Sequence, residues 1–227
     1  MNYSKRINLL CSLIKKTTTF ADVGCDHGYC SQYALEKGLC DKAIASDVSK
    51  GSLDKAKTLL APYIEAGRVT TVLGDGFFGV PKDTEQVLIA GMGGYEIIQI
   101  LSHKEYGFLP KNFLFQPMHD TQRLRQYLLD NGGYIERDFT FFDDRKYYDV
   151  LMGRRAKEGD GQSYSEAQLL FGKENLLSRS PDFLAWIEGE IAKVDKYLQN
   201  ASLSEENRQS LSQRKAVLQG VFRDEIE

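Results

Sequence analysis

The stretch ADVGCDHGYC, residues 21–30, ends an apolar run in a turn with glycines at Gly24 and Gly28, as nucleotide-binding loops do. Such a loop joins a strand to a helix, and its backbone N–H groups hold a cofactor at the helix N-terminus. The dinucleotide fingerprint G-x-G-x-x-G is absent, because Asp26 stands where its second glycine belongs. A phosphate bound there would face a carboxylate, which is unfavourable. The loop therefore disfavours NAD and favours a ligand that carries positive charge and no phosphate.

The sequence around this loop alternates between short apolar runs and helical patterns. Five β-type runs occupy residues 20–25, 42–48, 69–75, 86–92 and 112–118, and helical stretches between them end at glycine. Strands that are apolar throughout and alternate with helices indicate a parallel sheet covered on both faces. We therefore predict an α/β fold of the Rossmann-like type.

The order of the elements changes after the fifth run. A helical stretch begins near Asp120, which we expect to be its N-cap, and stops at Gly132–Gly133. Two strand-like runs follow over 134–144 and 145–155, and their junction at Asp143–Asp144 predicts a hairpin. A parallel sheet closed by one antiparallel hairpin is the plan of class I methyltransferases, so the pattern favours that fold by analogy.

A helical region begins where the composition shifts near residue 156. The polar segment AKEGDGQSYSE precedes apolar residues at helical spacing, and a second apolar set follows the break QNASLSEE, where Ser202 and Glu205 have capping-box spacing. The two stripes consist of Phe183, Ile187, Ile191, Val194 and Leu198, and of Leu211, Leu218 and Phe222. We predict a first domain over 1–155 and a coiled-coil-like C-terminal helical hairpin domain over 156–227. A plain helical pair packed on the core is the alternative.

Acidic residues end the second and third predicted strands. Asp47 follows Gly24 by 23 residues, and from there a carboxylate can accept hydrogen bonds from both ribose hydroxyls. Asp75, in GDGFFG, is placed to accept from an adenine amino group, although an ordinary Asp-Gly turn has the same sequence. The fourth run ends in IAGMGGYE, whose glycines leave a bare backbone for a substrate base. S-adenosylmethionine (SAM), which has a sulfonium and no phosphate, fits this set.

Composition limits the partners and the compartment. The formal net charge of −3 gives no bulk signal for nucleic acid, so RNA binding requires a local basic surface. The N-terminal MNYSKRINLLCSLIKK predicts an amphipathic helix rather than a signal peptide, and no apolar run approaches the roughly 20 residues of a membrane span. We therefore expect a cytoplasmic protein with no membrane partner.

The four cysteines predict reduced thiols rather than a metal centre. Cys25, His27, Cys30 and Cys40 lack the paired CxxC spacing that is typical of zinc sites. Thiols of a cytoplasmic protein are kept reduced. We therefore predict no metal cofactor.

Several motifs occur in the order and approximate spacing of a known family. The motifs are DVGCDHGY, SDVSKGSLDKA, GDGF, AGMGG and QPM, with SKRINLL before them and RKYYDVLMGRR after them. Together they resemble the motifs of the bacterial tRNA (adenine-22-N1)-methyltransferases, the TrmK family. The resemblance spans nearly the whole chain and includes the helical hairpin. This sequence departs from the family at Gly28, where alanine is usual, at Ser31, and in GSL, where the family has GPL. None of these differences removes a functional group.

The resemblance implies SAM-dependent methyl transfer to N1 of adenosine 22 in tRNA. It also implies cofactor contacts in the first loop, at the ribose-binding acid, and in the turns after the third and fourth strands. The predicted cofactor-binding residues are Asp22, Gly24, Cys25, Asp26, His27, Gly28, Asp47, Val48, Gly74, Asp75, Gly76, Ala90, Gly91 and Met92. The predicted substrate and tRNA contacts are Arg6, Tyr29, Gly93, Gly94, Gln116, Pro117, His119, Arg123, Arg145 and Lys146.

Asp26 also stands where the proposed catalytic aspartate of the family lies. Adenine N1 has a lone pair and needs no deprotonation, so the useful group is a carboxylate that stabilises the positive charge developing on the base. We predict that role for Asp26, with cofactor binding alone or helix capping as the alternative. His27 is expected to be a packed loop residue rather than a proton carrier.

Two other functions are compatible with this scaffold. A small-molecule methyltransferase is disfavoured because no lid-like insertion is visible. A SAM-binding interaction protein without catalysis would use the hairpin as its contact module. Residues 156–227 hold nine Lys and Arg against 13 Asp and Glu, so the hairpin has no general attraction for RNA. We expect tRNA as the partner of a monomer or weak dimer.

Overall fold

The computed structural model describes residues 3–200 and 202–224, which form seven strands and nine helices. The strands are β1 (Thr19–Val23), β2 (Lys42–Asp47), β3 (Val69–Leu73), β4 (Gln86–Met92), β5 (Asn112–Pro117), β6 (Gly133–Asp143) and β7 (Lys146–Arg155). The helices are α1 (Lys5–Ser12), α2 (Tyr29–Glu36), α3 (Lys50–Glu65), α4 (Gly94–Leu101), α5 (Thr121–Asp130), α6 (Glu166–Phe171), α7 (Lys173–Ser178), α8 (Pro181–Leu198) and α9 (Glu205–Arg223). No helix within these ranges is long and apolar enough to cross a membrane.

The strands form one sheet in the order β3-β2-β1-β4-β5-β7-β6. The first five strands run parallel, and β7 pairs with β5 in the antiparallel direction, with Asn112 opposite Arg154. Because β2 lies on one side of β1 and β4 on the other, a crevice opens at the carboxyl ends of β1 and β4, where open α/β sheets bind ligands. The predicted Rossmann-like sheet with a closing antiparallel hairpin is confirmed.

The central strands are buried over most of their length. Val87–Ile89 of β4 and Phe113–Phe115 of β5 are at most 1% exposed, and Phe20 and Ala21 of β1 are fully buried. A strand that is buried on both faces has no reason to alternate between apolar and polar residues. This burial accounts for the continuous apolar runs in the sequence.

The described chain divides into two compact units. The sheet unit contains the residues up to Asp138 together with Tyr148–Ser163, and the helical unit contains Phe139–Tyr147 together with the residues from Tyr164 onward. The tip of the β6–β7 hairpin therefore belongs to the helical unit. The domain boundary between residues 155 and 156 stays a prediction.

The structure moves the predicted hairpin junction by one residue and confirms Asp120 as the N-cap position of α5. The turn consists of Asp144 and Arg145, with φ angles of 42° and 65°, and lies one residue beyond the predicted junction. Paired left-handed residues match the twist of the flanking strands. Asp120 is the N-cap residue of α5, but its φ is 57° and its side chain makes no capping bond. Its Oδ2 instead lies 2.8 Å from Nδ1 of His119.

In the helical unit, α8 and α9 run antiparallel. Arg208 near the start of α9 donates to the carbonyl of Leu198 at 3.0 Å, and Arg179 before α8 donates to the carbonyl of Val221 at 2.8 Å. The buried core between these helices and α6 consists of Phe171, Phe183, Ile187, Val194, Leu218 and Val221. The coiled-coil character of the pair stays a prediction.

Three details of the helical region differ from the prediction. Helices α6 and α7 have no predicted counterpart. The N-cap of α9 is Ser204, whose Oγ accepts from the N–H of Asn207, whereas Ser202 bonds to Asn200, so the predicted capping box is wrong. Phe222 is 42% exposed, because the helix turns its neighbour Val221 into the core instead.

The predicted N-terminal helix is present as α1. Three predictions extend over residues 1, 2, 201 and 225–227, which lie outside the described residues. They are the N-terminal helix, the break and the hairpin domain.

A buried ion pair links α5 to β6 within the sheet unit. Nε of Arg125 donates to both carboxylate oxygens of Asp138 at 3.0 Å, and the two side chains are 1% and 2% exposed. Removing one partner leaves the other charge unpaired in the interior, which costs about 3–5 kcal/mol.

We therefore expect Arg125→Met to lower the free energy of unfolding by about 3–5 kcal/mol, measured by urea denaturation. Arg123→Met, an exposed position on the same helix, is the matched control and should change it by less than about 0.5 kcal/mol. Equal losses in the two variants would show that the buried pair has no special structural role.

Candidate active site

A cavity of about 760 Å³ lies in the sheet unit at the carboxyl ends of β1 to β4. The ends of these strands and the loops after them supply most of its lining, and α1 and α4 supply much of the rest. Of the predicted cofactor residues, those that line it are Asp22, Gly24, Cys25, Asp26, His27, Asp47, Val48, Gly74, Asp75, Gly76, Ala90, Gly91 and Met92. Two of the predicted tRNA contacts, Arg6 and Tyr29, line it as well. The structure thus brings residues from four separate loops to one place.

The loop between β1 and α2 is held by the end of β2. The N–H groups of Gly24 and Cys25 both donate to the carbonyl of Ser46 at 2.9 Å, and the N–H of Asp26 donates to Oδ2 of Asp47 at 3.0 Å. The backbone makes this turn with positive φ angles of 73° at Gly24 and 46° at Asp26. Three successive N–H groups are engaged within the protein, so a phosphate would have to compete for them.

Gly28 is the one predicted cofactor residue that does not line the cavity. It caps α2 with a φ of 76°. A Cβ atom there would lie 3.0 Å from Cδ1 of Leu60 and 3.2 Å from Cβ of Ala56, both on α3. The positive φ and the packing of α2 on α3 favour glycine at this position, and it makes no contribution to the cavity wall.

Asp22 is the most buried acid of the cavity. Its Oδ2 accepts hydrogen bonds from the N–H of Ser31 at 3.2 Å and from Oγ of Ser31 at 3.1 Å. Burial raises the pKa of Asp22 from 3.8 to about 7, against the opposing effect of the two bonds from Ser31. Burial also raises the pKa of the neighbouring Cys25 thiol. Burial therefore favours the protonated form of the Asp22 carboxyl group over its charged form.

Asp26 lies on the cavity wall with 64% of its side chain exposed. Its Oδ2 is 2.7 Å from Nδ1 of His27, whose ring stacks on Tyr29 with the centroids 5.2 Å apart and the planes 6° from parallel. The ring of Tyr3 packs on Tyr29 at 5.2 Å. The carboxylate thus stands beside an aromatic surface of the kind on which unpaired RNA bases stack.

The α4 side of the cavity contains residues that the sequence analysis missed. Glu96, Gln99, Ile100, His103 and Tyr106 all line it. The first four are spaced i, i+3, i+4 and i+7 from the glycine-rich turn onward, which is the spacing of one helical face and the signal that could have found them. The rings of His103 and Tyr106 stack at 3.7 Å.

The carboxyl end of β4, where the glycine-rich segment begins, contains a bulge. The pairing with β5 shifts register between Ala90 and Met92, and the intervening Gly91 has a φ of 82°. The N–H of Gly93 donates to Oε2 of Glu96 at 2.8 Å, which fixes the turn at the start of α4. Bulges next to active sites redirect the backbone, and this one places Gly91 on the cavity wall.

The other predicted tRNA contacts are distributed over both units. The sheet unit holds the buried Gly93, Gly94, Gln116 and Pro117 and the exposed His119 and Arg123. The helical unit holds the exposed Arg145 and Lys146, at the tip of the hairpin.

The cysteines lie in the interior and carry no disulfide. The Sγ atoms of Cys11 and Cys30 are 3.9 Å apart. Within residues 3–200 and 202–224, no group of three or more His, Cys, Asp or Glu side chains could hold a metal ion.

The lining of the cavity is strongly acidic. Among the described residues it includes the carboxyl groups of five side chains and a single guanidinium, that of Arg6. The acids are Asp22, Asp26, Asp47, Asp75 and Glu96. Such a lining attracts cations and repels phosphates. The cavity therefore suits a positively charged ligand without phosphate, which is the kind of ligand that the position of Asp26 in the sequence predicts.

The raised pKa of Asp22 should make the stability of the ligand-free protein depend on pH. Between pH 3.8 and about 7 the folded state keeps a proton that the unfolded state releases, so stability should fall as pH rises through this window. Asp22→Asn should remove this part of the slope, measured as the free energy of unfolding in urea across the window. The same slope in the variant and the wild type would rule out Asp22 as its source.

Comparison with known proteins identifies the family. The chain matches the TrmK family model, tRNA (adenine(22)-N(1))-methyltransferase, over residues 20–221. It is 26% identical over 221 residues to the tRNA (adenine(22)-N(1))-methyltransferase of Bacillus subtilis strain 168. The aligned region covers 94% of this chain and 92% of that protein.

Solved structures agree with the family model. The crystal structure of the B. subtilis m1A22 tRNA methyltransferase TrmK has a TM-score of 0.82 and 25% identity, covering 97% of this chain and 99% of that one. M. capricolum TrmK, solved in complex with the cofactor product S-adenosyl-homocysteine, has the same fold, with a TM-score of 0.86 and 21% identity over 99% of both chains. Because the family model covers most of its length, the chain belongs to the TrmK family of tRNA (adenine(22)-N(1))-methyltransferases.

Proposed function

We propose that this chain methylates N1 of adenosine 22 in tRNA with SAM as the methyl donor. The proposal rests chiefly on the acidic cavity, where the loop after β1 has its N–H groups bonded to β2 and presents carboxylates instead of a phosphate site. SAM supplies an electrophilic methyl group on a positively charged sulfur. A family member of the same fold binds S-adenosyl-homocysteine, the product of that donor.

Asp47 and Asp75 would hold the nucleoside part of the cofactor. Oδ2 of Asp47 accepts from the N–H of Asp26 and Oδ1 accepts from the N–H of Ser49, so the carboxylate is held in one orientation. Each oxygen keeps a lone pair for a ribose hydroxyl. Asp75, in the turn after β3, would accept from the adenine amino group.

Asp26 would supply the charge that the reaction needs. N1 of adenine attacks with its own lone pair, and the base becomes cationic as the new bond forms. A carboxylate on the cavity wall stabilises that charge without taking up a proton. Holding the base in line with the methyl group contributes the remainder of the rate enhancement.

The RNA would contact side chains around the cavity and at the hairpin tip. The proposed contacts are Arg6, Tyr29, Gly93, Gly94, Gln116, Pro117, His119, Arg123, Arg145 and Lys146. The exposed Arg123, Arg145 and Lys146 would meet phosphates, and aromatic rings would stack on splayed bases.

Transfer of a tritiated methyl group from SAM to an unmodified tRNA transcript tests the proposal. N1-methyladenosine blocks reverse transcription, so the product should give a stop at position 22, and a transcript with guanosine at that position should accept no label. Labelling of small metabolites without labelling of tRNA would overturn the proposal.

Asp47→Ala should weaken SAM binding, measured by calorimetry, by about 1.5–3 kcal/mol, because it removes a charged acceptor of two hydrogen bonds. Asp41→Ala, an exposed acid just before the other end of β2, is the matched control and should bind SAM like the wild type. Unchanged affinity in a folded Asp47→Ala protein would defeat the ribose assignment.

Asp26→Asn should slow single-turnover methyl transfer by about 10²–10³-fold, because it removes the charge and keeps the shape. Asparagine tolerates the left-handed backbone at this position, so the loop should keep its conformation. Affinities for SAM and tRNA, measured separately, should change much less. A wild-type rate, or a loss explained entirely by weaker SAM binding, would remove Asp26 from the chemistry.

A further inference from the structure

Gln116, near the end of β5, is a buried amide whose orientation is fixed from both ends. It is 0% exposed. Its Nε2 donates to the carbonyl of Pro117 at 2.9 Å, and its Oε1 accepts from Nε of Arg6 at 2.6 Å. Arginine has donors only, so the oxygen and not the nitrogen of the amide must face Arg6.

Arg6 covers this oxygen from the cavity side. The residue lies on α1 and lines the cavity, whereas Gln116 does not. A terminal nitrogen of its guanidinium is 2.9 Å from the position that a Cβ would take at Gly91, and its central carbon is 5.5 Å from the ring centroid of Tyr148. A flat, polar group therefore occupies the space beside the Gly91 bulge, the Tyr148 ring and the Gln116 oxygen.

An adenine could replace that flat group, and its chemistry matches the oxygen behind it. The exocyclic N6 amine of adenine is a donor, while guanine carries a carbonyl acceptor at the same position, so Oε1 would attract the first base and repel the second. When N1 gains its methyl group, positive charge spreads to the amine and the bond to Oε1 becomes charge-assisted. The guanidinium would be repelled by the same cationic base, so Arg6 has to release Gln116 when the base enters.

We propose that Gln116 recognises the exocyclic amine of the target adenine, in a slot that Arg6 fills in this structure and that Tyr148 provides with a stacking surface. Gln116 forms no covalent bond in the reaction and sets its specificity. The inference rests on the proposed function, since it concerns the acceptor base of the same site.

The test compares two tRNA substrates, one with adenosine and one with purine riboside at position 22. Purine riboside keeps N1 and lacks the amine. The ratio of single-turnover rates on these substrates should be at least about tenfold larger for the wild type than for Gln116→Met, because only the wild type can form the bond to the amine. The intrinsic difference in reactivity between the two bases is common to both enzymes and cancels in this comparison.

Two further variants keep the result interpretable. Arg6→Met retains the amide and should keep the wild-type ratio. Gln116→Asn withdraws the amide by one methylene and replaces Gln116→Met in the test if that variant does not fold. It should also lower the ratio of rates. SAM binding by calorimetry reports whether the cavity is intact in each protein.

Each other outcome is decisive. A wild-type ratio in a folded Gln116 variant overturns the inference and leaves the proposed function standing. If Arg6→Met lowers the ratio of rates and Gln116→Met keeps it, then Arg6 recognises the amine. That result also overturns the inference. A wild type that methylates neither tRNA overturns the proposed function, and this inference with it.

Discussion

The hydrogen bonds from three successive N–H groups of the first loop to the end of β2 are the constraint on which the rest of the site depends. Gly24 and Cys25 bond to a backbone carbonyl, and Asp26 bonds to the carboxylate of Asp47. In dinucleotide-binding folds the amides of the corresponding loop hold a pyrophosphate. Here they hold two strands together at the cavity, and side-chain carboxylates are left to meet the ligand.

The cavity and its surroundings differ in charge, because the cavity lining is acidic and the phosphates of an RNA require basic side chains outside it. The carboxylates around the cavity complement a sulfonium before the reaction and a cationic base after it, and both would be repelled by a basic lining. The phosphates of an RNA have to remain outside this field, where exposed basic side chains such as Arg123 are available. Arg6 is the exception among the lining residues, and its bond to Gln116 keeps its charge at the wall next to the Gly91 bulge.

The parts of the fold and the site that could be predicted are those that local sequence determines. Strands buried on both faces give continuous apolar runs, so the central sheet could be predicted. Asp47 ends β2 and Asp75 comes two residues after β3, so these positions could be predicted as well. The α4 face was missed because its residues reach the cavity only through the packing of that helix beside the glycine-rich turn. The packing role of Gly28 was also missed, since the atoms that would crowd a side chain there, on Ala56 and Leu60, belong to α3. Ser204 displaced Ser202 as a cap because two nearby serines offer the same local signal.

Calorimetric titration with SAM and, under the same conditions, with NAD tests most directly whether the loop and the acids around it select the cofactor. We predict saturable one-to-one binding of SAM and no measurable binding of NAD. Binding of NAD as tight as that of SAM, or the absence of SAM binding, would contradict the selection of a cationic, phosphate-free ligand by this site.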